Sequence, residues 1–198
     1  MTPVDQLPPY SAVVRAGGRA ERLGGQAKPQ LEVGGRTLLA AVLDAVADAE
    51  RRVVVGPPQP VPADVVLVRE EPPGGGPVAA LCAGLAEVRS PVVALLAGDL
   101  PFLRGALVTE LRTALTGDGV LVVDDGGRDQ YLLGAWRTDA LRAALHPAGP
   151  SSLHRLMAGL AVDRLHPAVP PGTPPPWVDC DTPEDLARAR AVAAQLDG

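Results

Sequence analysis

The chain has 198 residues, 46% of them hydrophobic but only 3% aromatic, and a formal net charge of -5. That length fits one domain that buries a core without disulfide or metal support, and the acidic balance excludes a broad nucleic-acid footprint, which needs a basic face. The longest apolar runs, Val92 to Ala97 and Val120 to Val123, fall far short of the roughly 20 residues of a membrane helix, so no membrane partner is expected.

The start, MTPVDQLPPY, carries an acid and three prolines where a secretory signal needs basic and then apolar residues. Residues 1–9 are expected to be a flexible segment leading into a single domain over 10–198. Cys82 and Cys180 lie far apart with no C-x-x-C spacing or neighbouring histidine, which points to reduced thiols and a cytoplasmic location. Lys28 is the only lysine among 18 basic residues in a chain rich in Ala, Gly, Pro and Val. Where arginine has replaced lysine everywhere else, a retained lysine suggests a need for a compact, flexible point charge.

In chain order, short β-branched runs alternate with helical patterns. Strands are predicted at Ala12 to Val14, Val53 to Val55, Val65 to Val68 and Val92 to Ala97, and helices at Leu38 to Ala49 and Pro77 to Val88. Leu38, Leu39, Val42, Leu43 and Val46 recur at the spacing of a core-facing stripe. Strands that read as continuous apolar runs are buried on both faces, as in a parallel sheet between helices. The second half reads as helix Leu107 to Leu115, strands Val120 to Asp124 and Tyr131 to Trp136, and helices Asp139 to Leu145 and Ser152 to Leu160. The stretch 167–176, PAVPPGTPPP, has few backbone donors and is a rigid surface connection. The last helix opens at Thr182-Pro183-Glu184-Asp185, with Thr182 as N-cap and an acid three residues on.

The strongest chemical signal follows the first strand: Ala16-Gly17-Gly18, then Arg19, Arg22, Gly24-Gly25 and Lys28. Glycines let consecutive backbone N–H groups face one concavity and admit phosphate without a Cβ in the way, and the basic residues neutralise a polyphosphate. No Ser or Thr follows the lysine, and the glycine spacing is not that of a dinucleotide fingerprint. Next, Asp99 leaves the carboxyl end of the apolar strand VVALLA, the edge where open α/β sheets bind ligands. A carboxylate there, with substrate phosphates, suits Mg²⁺. Third, Gly74-Gly75-Gly76-Pro77 precedes a helix, with Pro77 at its first position; the glycines serve either close approach to a base or ribose, or a plain linker. Arg128 and Gln130 in DGGRDQYLLGAWR either grip an acceptor or belong to a solvated hairpin turn. His146, His154 and His166 lack metal spacing and are expected at the surface or at helix ends. Trp136 and Trp177 are expected in or near the core, and Cys82 inside it.

Taken together, RAGGRAERLGGQAK, GGGPVAA, LLAGDLPFL and DCDTPEDLARAR resemble, in order, the motifs of the molybdenum cofactor guanylyltransferases, within the Rossmann-like nucleotidyltransferases. The resemblance covers nearly the whole chain. It implies a three-layer α/β/α Rossmann-like nucleotidyltransferase fold with a mostly parallel sheet. It also implies transfer of GMP from GTP to a molybdopterin-type acceptor with Mg²⁺ and release of pyrophosphate. Residue by residue, it implies nucleotide contacts at Arg15, Ala16, Gly17, Gly18, Arg19, Lys28, Gly76 and Pro77, catalytic roles for Lys28, Arg22 and Asp99, and Mg²⁺ on Asp99. Gly56 and Glu70 stand where the family uses an Asn and an Asp toward the nucleotide, and Asp179 and Asp181 fall at the closing motif beside the acceptor. Arg15 stands where the family has an apolar residue, so a guanidinium lies beside the base and leaves its identity open. The alternatives are a related CTP or GTP transferase with another phosphorylated acceptor, or a non-catalytic nucleotide-binding partner in molybdoenzyme assembly.

Overall fold

A seven-stranded sheet runs through the chain, seen in a computed structural model that describes residues 7–17, 22–23, 26–145 and 152–196. β1 (Tyr10–Arg15) lies at its middle, parallel to β6 (Arg51–Val55) on one side and β8 (Val92–Ala97) on the other. β7 (Val65–Val68) continues the parallel run beyond β6. On the far side β10 (Asp129–Arg137) runs antiparallel to both β8 and β9 (Gly119–Val123), and β11 (Val162–Leu165) closes that edge parallel to β9. The order is therefore β11-β9-β10-β8-β1-β6-β7. β10 is the one reversed strand, so the sheet is mostly parallel, as the apolar strand pattern predicts.

The continuous apolar strands are covered on both faces. Ala12, Val14 and Ala16 face α1 (Leu38–Ala45) and α3 (Gly105–Ala114). Val13, Val53, Val55 and Leu95 face α2 (Gly76–Ala86), α4 (Thr138–Ala144) and α5 (Leu153–Met157). The stripe Leu38, Leu39, Val42, Leu43 and Val46 is buried as predicted. Helix α6 (Pro183–Leu196) packs in a separate small cluster with Leu31, Val33 and Leu38. Its start is specified as expected: Thr182 Oγ1 accepts from the Asp185 N–H at 3.1 Å, and the Asp185 carboxylate accepts from the Thr182 N–H at 2.9 Å.

One strand was not foreseen and one expectation changes. The edge strand β11 has no strong sequence signature, because Val162–Leu165 is only half-buried at its ends and exposed in the middle. Cys82 is exposed instead of buried, since the inward stripe of α2 is Ala80, Leu81, Gly84 and Leu85. Of residues 1–9, residues 1–6 lie outside the described residues, and the Pro8 carbonyl accepts from Arg112 at 3.0 Å. Trp136 is fully buried and Trp177 packs against the core, as expected.

Candidate active site

Three chain segments meet at the carboxyl edge of β1, β6 and β8, where parallel strands leave a crevice. The exit of β1 is clamped from both sides. The Ala16 N–H donates to the Val55 carbonyl at 2.8 Å and the Gly98 N–H to the Arg15 carbonyl at 2.9 Å. These contacts need glycine: a Cβ on Gly56 would lie 2.6 Å from the Ala16 oxygen, and one on Gly98 would lie 3.0 Å from the Arg15 oxygen. Gly56 is therefore a packing requirement of the loop and leaves no side chain for a nucleotide.

Three residues on, the amide side chain of Gln59, which sequence reasoning missed, lines the cleft. Gln59 Nε2 donates to the Ala16 carbonyl at 3.2 Å and to the Pro57 carbonyl at 3.3 Å, while its Oε1 accepts from Gln30 Nε2 at 3.1 Å. With the backbone of Arg15 and Ala16 so engaged, the polar backbone offered to a ligand begins at Gly17, whose N–H has no partner among the described residues.

Lys28 opens a short 3-10 turn, Lys28–Gln30, that follows the hairpin of β2 (Arg22–Leu23) and β3 (Gln26–Ala27). The hairpin β4 (Glu32–Val33) and β5 (Arg36–Thr37) then leads into α1. The Lys28 ammonium donates to the Asp99 carboxylate, at the end of β8, and to Asp181 at 2.5 Å. Lys28 is buried, its side chain 9% exposed, Asp99 is half-buried and Asp181 is 63% exposed. Burial works against the lysine charge, but Asp99 and Asp181 outweigh it and hold the ammonium pKa above that of a free lysine. Asp181 and Asp179 flank Cys180, which is fully buried. Successive side chains of this segment thus alternate, two exposed carboxylates lining the cleft on either side of a thiol anchored in the core. Burial, then Asp99, pushes the Cys180 thiol up to about 12. Desolvation, followed by Asp181 and Asp99, raises the Asp179 carboxyl.

These groups line one cleft of about 750 Å³, together with Pro57, Pro58, Pro77 and, on the opposite wall, Asp129, Gln130, Tyr131 and His154. Arg15, Ala16, Gly17, Lys28, Pro77, Asp99, Gln130, Asp179 and Asp181 are thus brought together. Gly18, Arg19 and His146 lie outside the described residues, as does the Arg22 side chain. Glu70 is elsewhere: its carboxylate accepts from the Gly74 N–H at 3.1 Å and closes the glycine loop. Gly76 adopts φ 89° at the start of α2, and its neighbour Pro77 reaches the cleft. Arg128, its side chain 82% exposed, turns away to pair with the buried Asp124, within a hairpin whose Gly127 has φ 75°, so the turn reading holds for it. Gln130 stays on the wall, its amide held by Asp124 at 2.9 Å. His154 is surface-exposed as expected, but it also faces the cleft, its ring edge-on to Tyr131 at 5.9 Å and 83°. Tyr131 and His154 were hidden because they come from β10 and α5, elements that no local motif connects.

Among the described residues no cluster of three or more metal-type side chains is present. Mg²⁺ does not require one: it takes one or two carboxylates and fills its remaining positions with water and substrate phosphate. Asp99 and Asp181, facing one point across the Lys28 nitrogen, fit that donor set.

The model of the MobA-like NTP transferase domain matches residues 12–166. A molybdenum cofactor guanylyltransferase of Bradyrhizobium sp. (strain ORS 278) is 33% identical, over 92% of each chain. Among solved structures, the molybdopterin-guanine dinucleotide biosynthesis protein A of Archaeoglobus fulgidus superposes with a TM-score of 0.68 at 18% identity, covering 94% of this chain and 99% of that one. The 2-C-methyl-D-erythritol 4-phosphate cytidylyltransferase of Thermus thermophilus gives 0.67 at 22% identity, with coverage of 94% and 99%. At these identities the two structures establish the shared fold.

Proposed function

From the premise that this chain belongs to the MobA-like NTP transferase family and is a nucleotidyltransferase, we propose that it transfers GMP from GTP to the phosphate of a molybdopterin-type acceptor. The observation that carries the reading is Lys28, buried between Asp99 and Asp181 at the mouth of β1 and β8. A lysine charge held there by two carboxylates stays on across the working pH range and is poorly screened by water, which suits a polyphosphate.

In this reading the triphosphate lies against the Gly17 backbone, with Lys28 moving from its carboxylates to phosphate oxygens. Asp99, with Asp181 beside it, would hold Mg²⁺, which would withdraw charge from the phosphates. An oxygen of the acceptor phosphate attacks the α-phosphorus; the new P–O bond replaces the bond to the β-phosphate, and pyrophosphate leaves with its electron pair. No covalent enzyme intermediate is needed. The protein supplies position and charge neutralisation, which carry most of phosphoryl-transfer catalysis. Gln59, on the cleft wall beside Ala16 and held by Gln30, stands in for the missing side chain at Gly56 toward the base.

A thermal-shift series with GTP, CTP, ATP and UTP, each with Mg²⁺, tests the nucleotide half, because a ligand that binds the native state stabilises it by mass action. GTP is expected to give the largest shift. Equal shifts for all four, or a larger one for CTP, would overturn guanine selection and favour transfer to a different phosphorylated acceptor.

A further inference from the structure

Among the described residues, the cleft contains one cation that the proposed triphosphate chemistry does not use. Arg15 ends β1 on the Val13 face of the sheet, opposite to Ala16. It lies over a narrow apolar crevice shared with Leu81, Leu95, Leu132 and Leu153, and it also lines the main cleft. An arginine placed so covers apolar surface with its stem and keeps its charged head in the wet space. Lys28, Arg52, Arg112, Arg128 and Arg164 each meet a carboxylate. Arg15 meets none among the described residues.

The charges around it sharpen the point. On the facing wall Asp129 is neutralised by Arg164 through two bonds of 2.9 and 2.8 Å, and Asp124 by Arg128. At the Lys28 end Asp99, Asp179 and Asp181 make the cleft acidic. A second anionic substrate entering beside them needs a cation of its own, and a guanidinium is suited to grip a phosphate through two parallel bonds. The rings of Tyr131 and His154, edge to face at 5.9 Å, and the Leu132 and Leu153 side chains offer an aromatic, partly apolar wall next to it.

Building on the transfer reaction above, we propose that Arg15 and the Tyr131–His154 ring pair form the acceptor subsite, which takes a phosphate monoester carried by a flat ring. Arg15 binds the acceptor's phosphate, not the triphosphate. The position where the family's apolar residue gives way to arginine thereby sets acceptor affinity and leaves nucleotide affinity alone.

The test is calorimetric titration of the full chain with phenyl phosphate and methyl phosphate, repeated with Mg²⁺ and the non-transferable analogue guanosine 5′-[α,β-methylene]triphosphate bound. Phenyl phosphate is expected to bind with the analogue in place, and more tightly than methyl phosphate. Arg15→Leu, which restores the apolar residue of the family, should weaken phenyl phosphate by about tenfold or more, as loss of a charge-assisted bond does, with Arg15→Lys intermediate and analogue affinity unchanged. Tyr131→Ala should erase the preference for phenyl over methyl phosphate. The proposal fails if the analogue displaces phenyl phosphate, if Arg15→Leu weakens the analogue as much as phenyl phosphate, or if Arg15→Leu changes neither. If the analogue does not bind the wild-type chain while phenyl phosphate binds in an Arg15-dependent way, the guanine-nucleotide reading falls and the Arg15 assignment stands.

Discussion

At the β1 end of the cleft the polar surface is backbone together with one buried lysine and the carboxylates around it, Asp99, Asp179 and Asp181, each marked by a local motif, whereas at the β10 end it consists of side chains that no motif connects. The first end is stiff: Gly56 and Gly98 press on Ala16 and Arg15 from both sides, and the Ala16 carbonyl is held by Gln59. The second end is held by ion pairs at its margin, Asp129 with Arg164 and Asp124 with Arg128, behind an aromatic pair. A triphosphate is common to every reaction of this type, and backbone amides recognise it without regard to the rest of the substrate. In the proposed reaction, side chains on the opposite wall are free to differ, so acceptor choice could change without disturbing the end assigned to phosphate.

Substitutions at the two ends should therefore separate cleanly. The largest effect is expected for Lys28→Ala and Asp99→Ala, each lowering pyrophosphate release on the order of 10²–10³-fold, the loss typical of a preorganised charge at a transition state; a change under threefold in both would break the division. Next, Gly56→Ala should cost about 1–3 kcal/mol in chemical denaturation, because its Cβ must displace the Ala16 carbonyl 2.6 Å away, and nucleotide affinity should fall with it. Gly127→Ala, with open space around it but φ 75°, should cost about 1–2 kcal/mol and leave nucleotide binding untouched.

Gln59→Leu is a finer probe of the β1 end. Losing its bonds to Ala16 and Pro57 should raise the nucleotide KM about tenfold, at about 0.5–1.5 kcal/mol per bond, with the acceptor KM unchanged. The smallest effects belong to the ion pairs of the other end. Arg164 holds the Asp129 carboxyl below the usual range, so the pair stabilises the fold above the unfolded carboxylate pKa of about 3.9 and loses that contribution as pH falls through the lowered folded value. Asp129→Asn should accordingly lower Tm at pH 7, with the difference from wild type shrinking below about pH 4. A difference that grows on acidification would contradict the assignment. Arg128→Ala should lower Tm only slightly, because Arg128 is exposed and the buried Asp124 keeps the Gly126 and residue-128 N–H groups and the Gln130 amide as donors.

Much of the β1 end was legible in the sequence because its determinants are local. Continuous apolar runs marked Val65–Val68 and Val92–Ala97 to the residue, and Lys28, Asp99 and Asp181, singled out by motif, meet in space. Gln59 was missed because Pro57-Pro58-Gln59-Pro60 resembles no motif; its role arises only when the loop folds back on Ala16. The β10 end was harder to read for the same reason throughout. β11 is an edge strand with two of its four residues exposed, His154 reaches Tyr131 only through the packing of α5, and Arg15 reads as a misfit until Leu132 and Leu153 are seen beside it.

The most direct measurement of the central claim follows two labels at once, incubating the chain with Mg²⁺, molybdopterin cofactor and GTP labelled at either the α- or the γ-phosphate. The account requires the α-label to move onto the acceptor and the γ-label to appear only in pyrophosphate, in equal amounts, both abolished in Asp99→Ala. Release of the γ-label as inorganic phosphate, or an α-label that never leaves the free nucleotide pool, would contradict it.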